Sequence, residues 1–397
     1  MNRRLVIAMV VVLPAWLVIE LAFWPRVAGG ADMLARLGLG TFTRATAYAQ
    51  AHYRWFGAAV ATQLVLCLAL ATEPVSRALE LLLASGGPVR GAAWISMVCL
   101  AGSHGLGLAF GFVSGHLLDL QYGLTQQSTW AWLKEQLLAR GLSAGFTAAA
   151  VAAAIWTAQS FGRRWWLASS VLTGAAVVGV MMLQPVAIDP LFDHYAPLAG
   201  RPGSEHFLAL AQRAGFDPAR LSVAEVSHRT TKGNAFVNGL GPTERIALWD
   251  TFLEASRADE AELVLAHELG HWLAGHVRIG TALALVAILA VPMLGSFVFP
   301  CPGPRDVPAL LLALLLVRLS SLPVENAVSR AIEAQADWLS LRLTGKPDAF
   351  IRAEEQLARQ NLSEPAPTAA AVWFFYTHPP AADRIAMAER YARSRPR

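Results

Sequence analysis

Charge is what this chain has least of. Asp, Glu, Lys and Arg together make up 15% of its 397 residues, where soluble domains carry about 25%. With 55% apolar residues and a mean hydropathy of +0.43, the chain is excluded from the wholly soluble class. Lysine is scarce beside arginine, the net charge is only +4, and no dense basic run is present, so nucleic acid is not an expected partner. Cysteine is scarce as well. Cys67, Cys99 and Cys301 lie scattered among apolar residues without C-x-x-C spacing. Neither a disulfide framework nor a thiolate metal site is indicated. The arginine- and alanine-rich usage points weakly to a bacterial source.

What the chain has instead is long apolar runs. The first, about residues 5–24, follows Arg3-Arg4. It is read as an uncleaved first helix, because no small-x-small cleavage site follows it. Further spans are expected at about 57–72, 92–116, 143–161, 166–186, 279–300 and 307–324, each near the ~20 residues that cross ~30 Å of hydrocarbon. Residues 25–56 read as a polar connector, and 117–142 as an interfacial one with Trp130 and Trp132 at headgroup level. His104 and His116 fall in or near the third span and are read as structural. Residues 187–278 and 325–397 are polar. In the first of these, 204–214 suits a helix and 221–226 a strand. Residues 234–238 and 245–249 form a hairpin around the turn 239–244. The resulting division is 1–186, a membrane region with five spans, and 187–397, a second domain interrupted by a two-span membrane hairpin at about 279–324.

That second domain holds the chemistry. His267-Glu268-Leu269-Gly270-His271 is an H-E-x-x-H pattern. On a helix, i and i+4 share a face, so both imidazoles reach one metal, while Glu268 reaches its water. A zinc hydrolase also needs a third protein ligand. Glu333, followed at i+4 by Asp337, is the natural choice, giving a His2Glu set. Asp337 is then placed to orient a ligand histidine. The ligand-bearing segments sit on either side of the membrane hairpin, and an even number of spans returns both to one side. The hairpin before the metal helix offers an edge strand for an extended peptide, with Asn234 and Ala235 as the residues expected to line it. His378 is a candidate donor to an oxyanion, and Arg384 a candidate holder of a substrate carboxylate or carbonyl. His276, five residues after His271, is off the ligand face and read as structural.

These motifs bring the chain to a known family. His267-Glu-Leu-Gly-His271-Trp, Ser329-Arg330-x-x-Glu333-x-x-Ala336-Asp337, Asn234-Ala-Phe-Val-Asn-Gly239 with Arg245-Ile-Ala-Leu-Trp-Asp250, and Thr377-His378-Pro-Pro with Asp383-Arg384-Ile385 occur in the order of the CAAX prenyl protease 1 (Ste24-type) M48 membrane metallopeptidases. Weaker matches lie at 119–124 and 190–198. The chain resembles that family over about residues 115–390. The resemblance implies a mainly α, multi-pass membrane helical bundle of about seven spans, with a gluzincin-type metallopeptidase domain carrying a small β-hairpin or sheet. It implies one catalytic Zn2+ and a water-filled chamber within the bundle. The implied substrate is a peptide or protein, prenylated in the family's own reaction, and the lipid bilayer is the other partner. Equivalents of His378 and Arg384 are assigned there to transition-state and substrate contacts. The expected location is a bacterial inner membrane with the site facing the cytoplasm, although charges on the short loops are nearly balanced. The sister reading is an HtpX-like quality-control protease, which usually has fewer spans. From another class, an inactive zinc-bearing scaffold would have no use for Glu268.

Overall fold

A computed structural model of the chain describes residues 25, 27 and 29–394. The expected first span and Arg3-Arg4 lie outside the described residues, as does Arg26. The first described helices are α1 (Gly30–Leu37), α2 (Leu39–Leu70), α3 (Glu73–Leu83) and α4 (Pro88–Gly111). A π-helical turn, Phe112–Leu117, links α4 to α5 (Leu118–Tyr122). Then come α6 (Thr129–Phe161) and α7 (Trp165–Leu183). Among the described residues, five helical runs are long and apolar enough to cross a membrane, and one of them, 129–191, contains both α6 and α7. The expected connectors at 25–56 and 117–142 are therefore mostly helix. The reason is length: α2 has 32 residues, about 48 Å at 1.5 Å each. Apolar composition marks only part of the helix, which continues past that part with polar residues such as Tyr48, bonded to Asp119, and Tyr53, bonded to Glu364.

The bundle has two ends. At one, the short turns gather: Trp165 Nε1 donates to Phe299 O at 3.0 Å, and Arg305 pairs with Glu73. At the other, cations fasten the polar lobe, three of them from the lobe itself. Arg229 pairs with Asp193 at 2.7 Å, Lys232 with Asp119 at 2.8 Å, and Arg245 with Asp189 at 2.5 Å.

The lobe contains β1 (His194–Pro197), α8 (Glu205–Ala214), β2 (Leu221–Glu225), β3 (Ala235–Asn238) and β4 (Arg245–Trp249). They form one mixed sheet in the order β1-β2-β4-β3, with β2 and β4 parallel and β3 antiparallel to β4. The strand β1 was not expected from the sequence; its four residues are too short to show an alternation. A short helix α9 (Asp250–Ala255) leads to α10 (Ala258–Leu273). One sheet face packs Leu221, Val223, Ile246 and Leu248 onto α8 and α10 through Leu210, Leu265 and Leu269. Each such side chain, fully buried, stabilises by about 1.5–3 kcal/mol. This fixes α10 beneath the sheet with β3 at the sheet's edge.

After α10 the chain enters the membrane as α11 (His276–Val298), returns in α12 (Val307–Thr344), and finishes with α13 (Pro347–Gln360), α14 (Ala369–Phe375) and α15 (Ala381–Ser394). Gly275, at φ +69°, breaks α10 from α11, a left-handed position that glycine takes without a Cβ penalty. Gly270 allows α10 to lie directly against α12: a Cβ there would sit 3.0 Å from Ala336 O and 3.2 Å from Leu339 Cβ.

Candidate metal centre

That close approach brings three ligand atoms to one point. His267 Nε2 lies 3.0 Å from His271 Nε2 and 3.1 Å from Glu333 Oε2, and His271 Nε2 lies 3.5 Å from the same oxygen. A tetrahedral shell with ligand distances of about 2.0–2.1 Å has edges of roughly 3.3 Å. Among the described residues, this is the one group of three or more His, Cys, Asp or Glu side chains so arranged.

The far nitrogens say what the near ones are. His276 Nε2 faces Gln335 Oε1 at 3.2 Å, an acceptor, so the proton of a neutral His276 sits on Nε2 and its Nδ1 is a lone pair. His271 Nδ1 is 2.9 Å from that lone pair and must carry its own proton. Its Nε2 is then bare. His267 Nδ1 lies 2.8 Å from Asp337 Oδ1, in a bent contact rather than a linear hydrogen bond, which leaves its Nε2 facing His271 and Glu333. Two ring nitrogens and a carboxylate oxygen thus converge on one point. Such a face suits a cation, and a divalent metal of nitrogen and oxygen preference fits this donor set. The structure thus gives His276 a contact with a metal-facing histidine, where the sequence reading left it merely structural. The i, i+5 spacing misleads because Gly275 ends the helix and turns residue 276 back.

Behind Asp337 stands a further network. Arg384 donates to Asp337 through Nε at 2.8 Å and Nη2 at 2.5 Å, and its Nη1 lies 2.8 Å from Glu354. The Asp337 side chain is completely buried. The Arg384 guanidinium is engaged by these two carboxylates through all three of its nitrogens. Its pKa is raised: burial opposes the charge, but Asp337 and Glu354 outweigh it. Glu354 was not foreseen. The signal was there, in an acid lying on the buried stripe of α13 beside Phe350 and Ala353.

Glu268 is buried. Burial raises its carboxyl above the ordinary range, His267 and His271 pull it back, and the Val237 N–H bonds to it. Val237 is on β3, which brings the strand into the site. Trp249 N donates to Asn234 O at 3.0 Å, and the register pairs Phe236 with Ala247 and Asn238 with Arg245. In an antiparallel ladder these alternate residues spend their backbone groups on β4, so Ala235 and Val237 turn theirs to the free edge. With Val237 committed to Glu268, the backbone of Ala235 faces outward. Asn234 differs: its carbonyl is used by Trp249, and the residue itself is exposed.

His378 reaches the same centre from the C-terminal side. Its Nε2 is 3.3 Å from Glu333 Oε2, its Nδ1 is 2.9 Å from Thr377 Oγ1, and its side chain is 58% exposed. The structure therefore gathers His267, Glu268, His271, Glu333, Asp337, Arg384 and His378 about one point, with Ala235 at the neighbouring strand edge.

The chain is similar to known proteins. The family model described as "Peptidase family M48" matches residues 204–392, and that described as "CAAX prenyl protease N-terminal, five membrane helices" matches 31–194. An "Uncharacterized metalloprotease YhfN" of Bacillus subtilis is 31% identical over 290 residues, covering 70% of this chain and 68% of that one. A "CAAX prenyl protease 1 homolog" of Arabidopsis thaliana is 28% identical over 299 residues, covering 70% and 68%. The crystal structure of S. mikatae Ste24p superposes with a TM-score of 0.80 at 20% identity, covering 93% of this chain and 94% of that one.

Proposed function

The chain belongs to peptidase family M48 and is a multi-pass membrane metalloprotease, and on that footing we propose that zinc is its metal, held by His267, His271 and Glu333. The observation that carries this reading is the convergence of His267 Nε2, His271 Nε2 and Glu333 Oε2 within 3.5 Å of one another, beside the buried Glu268 carboxylate and the edge strand β3. When bound, zinc supplies Lewis acidity that lowers the pKa of water and polarises a peptide carbonyl. Glu268, a carboxylate made more basic by burial, takes a proton from the attacking water and passes it to the leaving amine. The Ala235 backbone pairs with an extended substrate, and the exposed side chain of Asn234 adds a contact beside it. His378 donates a hydrogen bond to the oxyanion as it forms. Asp337 holds His267, and Arg384 holds Asp337, a positioning role in place of the substrate contact first expected of it.

The substrate we propose is the C-terminal segment of a prenylated protein. The named relatives that are CAAX prenyl proteases, and the match to their five-helix N-terminal region, support this reading over an HtpX-like one. We place the chain in a bacterial inner membrane with the centre on the cytoplasmic side, where such a substrate arises. The test is cleavage of a farnesylated CAAX peptide against its unprenylated twin by the purified protein. Preference for the farnesylated peptide is expected. Equal cleavage of both would mean a general membrane-associated peptidase.

A further inference from the structure

The exposed His378 needs something to hold it. Its side chain has two polar neighbours, Thr377 Oγ1 and Glu333 Oε2, and two prolines follow it in the chain. Its position is thus set by the backbone that carries it, the end of α14. A helix C-terminus leaves its last carbonyls without partners inside the helix. Here α12 supplies donors to them, sharing Val372 O with Tyr376 N. Arg330 Nη1 donates to Val372 O at 2.9 Å and to Tyr376 O at 2.8 Å. Asn326 Nδ2 donates to Phe374 O at 2.7 Å and to Trp373 O at 3.3 Å. Asn326 is 4% exposed.

Asn326, Arg330, Glu333 and Asp337 stand at i, i+4, i+7 and i+11 on α12, so they share one face of that helix. The lower two residues of the face, Glu333 and Asp337, build the metal centre. The upper two clamp the carbonyls from which the His378 loop departs. One rigid element therefore sets both ends of the distance between His378 and Glu333. Among the described residues Arg330 has no carboxylate within ion-pair distance; its charge faces the α14 carbonyls, where a cation is favourable.

We infer that Arg330, assisted by Asn326, is a positioning residue for the reaction, holding the α14 terminus so that His378 overhangs the metal centre. The inference rests on the reading of His378 as the oxyanion donor. A cap that served stability alone would lower the population of folded enzyme without regard to His378. A clamp acting through His378 has no effect once that imidazole is gone.

The experiment is a double-mutant cycle in the full-length, metal-loaded protein, with Arg330→Met, His378→Ala and the pair, read as kcat/KM on the peptide and as bound zinc per chain. Loss of an oxyanion donor costs about 10²- to 10³-fold. Arg330→Met is expected to lose much of that factor while keeping its zinc, and the double variant is expected to be no slower than His378→Ala. Arg330→Lys keeps the charge without the planar fork and restores part of the rate; run through the same cycle, it also covers a Met variant that does not fold. Multiplying losses in the double variant, loss of zinc from Arg330→Met, or a wild-type rate in it would overturn the inference and leave His378's role standing. A wild-type rate in His378→Ala would overturn both.

Discussion

Each metal-facing imidazole has its far nitrogen engaged, His267 by the Asp337 carboxylate and His271 by the neutral His276 ring that Gln335 fixes. Partners of this kind set tautomer and direction, and losing one typically costs 10- to 100-fold in metal affinity. His276→Leu, which offers no acceptor, is expected to weaken zinc binding by about that factor in a chelator competition. His276→Asn, whose amide oxygen lies near the position of Nδ1, is expected to recover most of it. Equal affinity in His276→Leu and wild type would remove His276 from the centre. At this scale the sequence was legible where spacing is local. The i, i+4 pairs His267/His271 and Glu333/Asp337 declare a shared helical face by themselves. The contacts of His276 with Gln335, of Arg384 with Glu354, and of Arg330 with α14 cross helix boundaries. No periodicity records them. Arg384 illustrates the limit: an arginine after a histidine motif reads equally well as a substrate ligand or as a buried counter-charge, and only the fold places the two carboxylates on it.

Among the elements, the packing of α10 on α12 decides whether a third ligand exists. Gly270 is the contact point, with Ala336 O and Leu339 Cβ where its own side chain would go. Gly270→Leu overpacks this seam and is expected to cost about 1–3 kcal/mol, read as a lower thermal midpoint in detergent. Zinc affinity should fall with it, since Glu333 is carried away from the histidines. An unchanged midpoint together with unchanged affinity would show that the helices have room to spare. The sequence indicated both helices and the membrane hairpin between them, because apolar runs of span length and an even number of crossings are visible without coordinates. It did not indicate how far helices run beyond the bilayer. Polar residues at 39–56 and 129–142 look like connectors to a reading built on apolar runs, yet they extend α2 and α6.

Over the whole molecule, the peptidase lobe and the membrane bundle are held together by Arg229, Lys232 and Arg245, each paired with an acid at the near end of the bundle. Lys232 precedes the edge strand β3 and Arg245 pairs with its far end, so the strand edge is set by the membrane region as well as by the sheet. The proposed metal ligands obey the same logic, since His271 and Glu333 lie at the two ends of a membrane hairpin. The fold class was legible from composition together with the order of the motifs. The mixed sheet with β1 at its far side was not, because β1 is short and its partner is β2, more than twenty residues away. The central claim is that Glu268 is a base and not a ligand. The most direct measurement is zinc content and peptide cleavage, side by side, for the full-length wild type, Glu268→Gln and Glu333→Ala. Removal of a general base typically costs about 10²- to 10⁴-fold. Glu268→Gln is expected to bind zinc as the wild type does and lose cleavage by at least that factor, while Glu333→Ala loses the zinc itself. Wild-type cleavage by zinc-loaded Glu268→Gln would contradict the account.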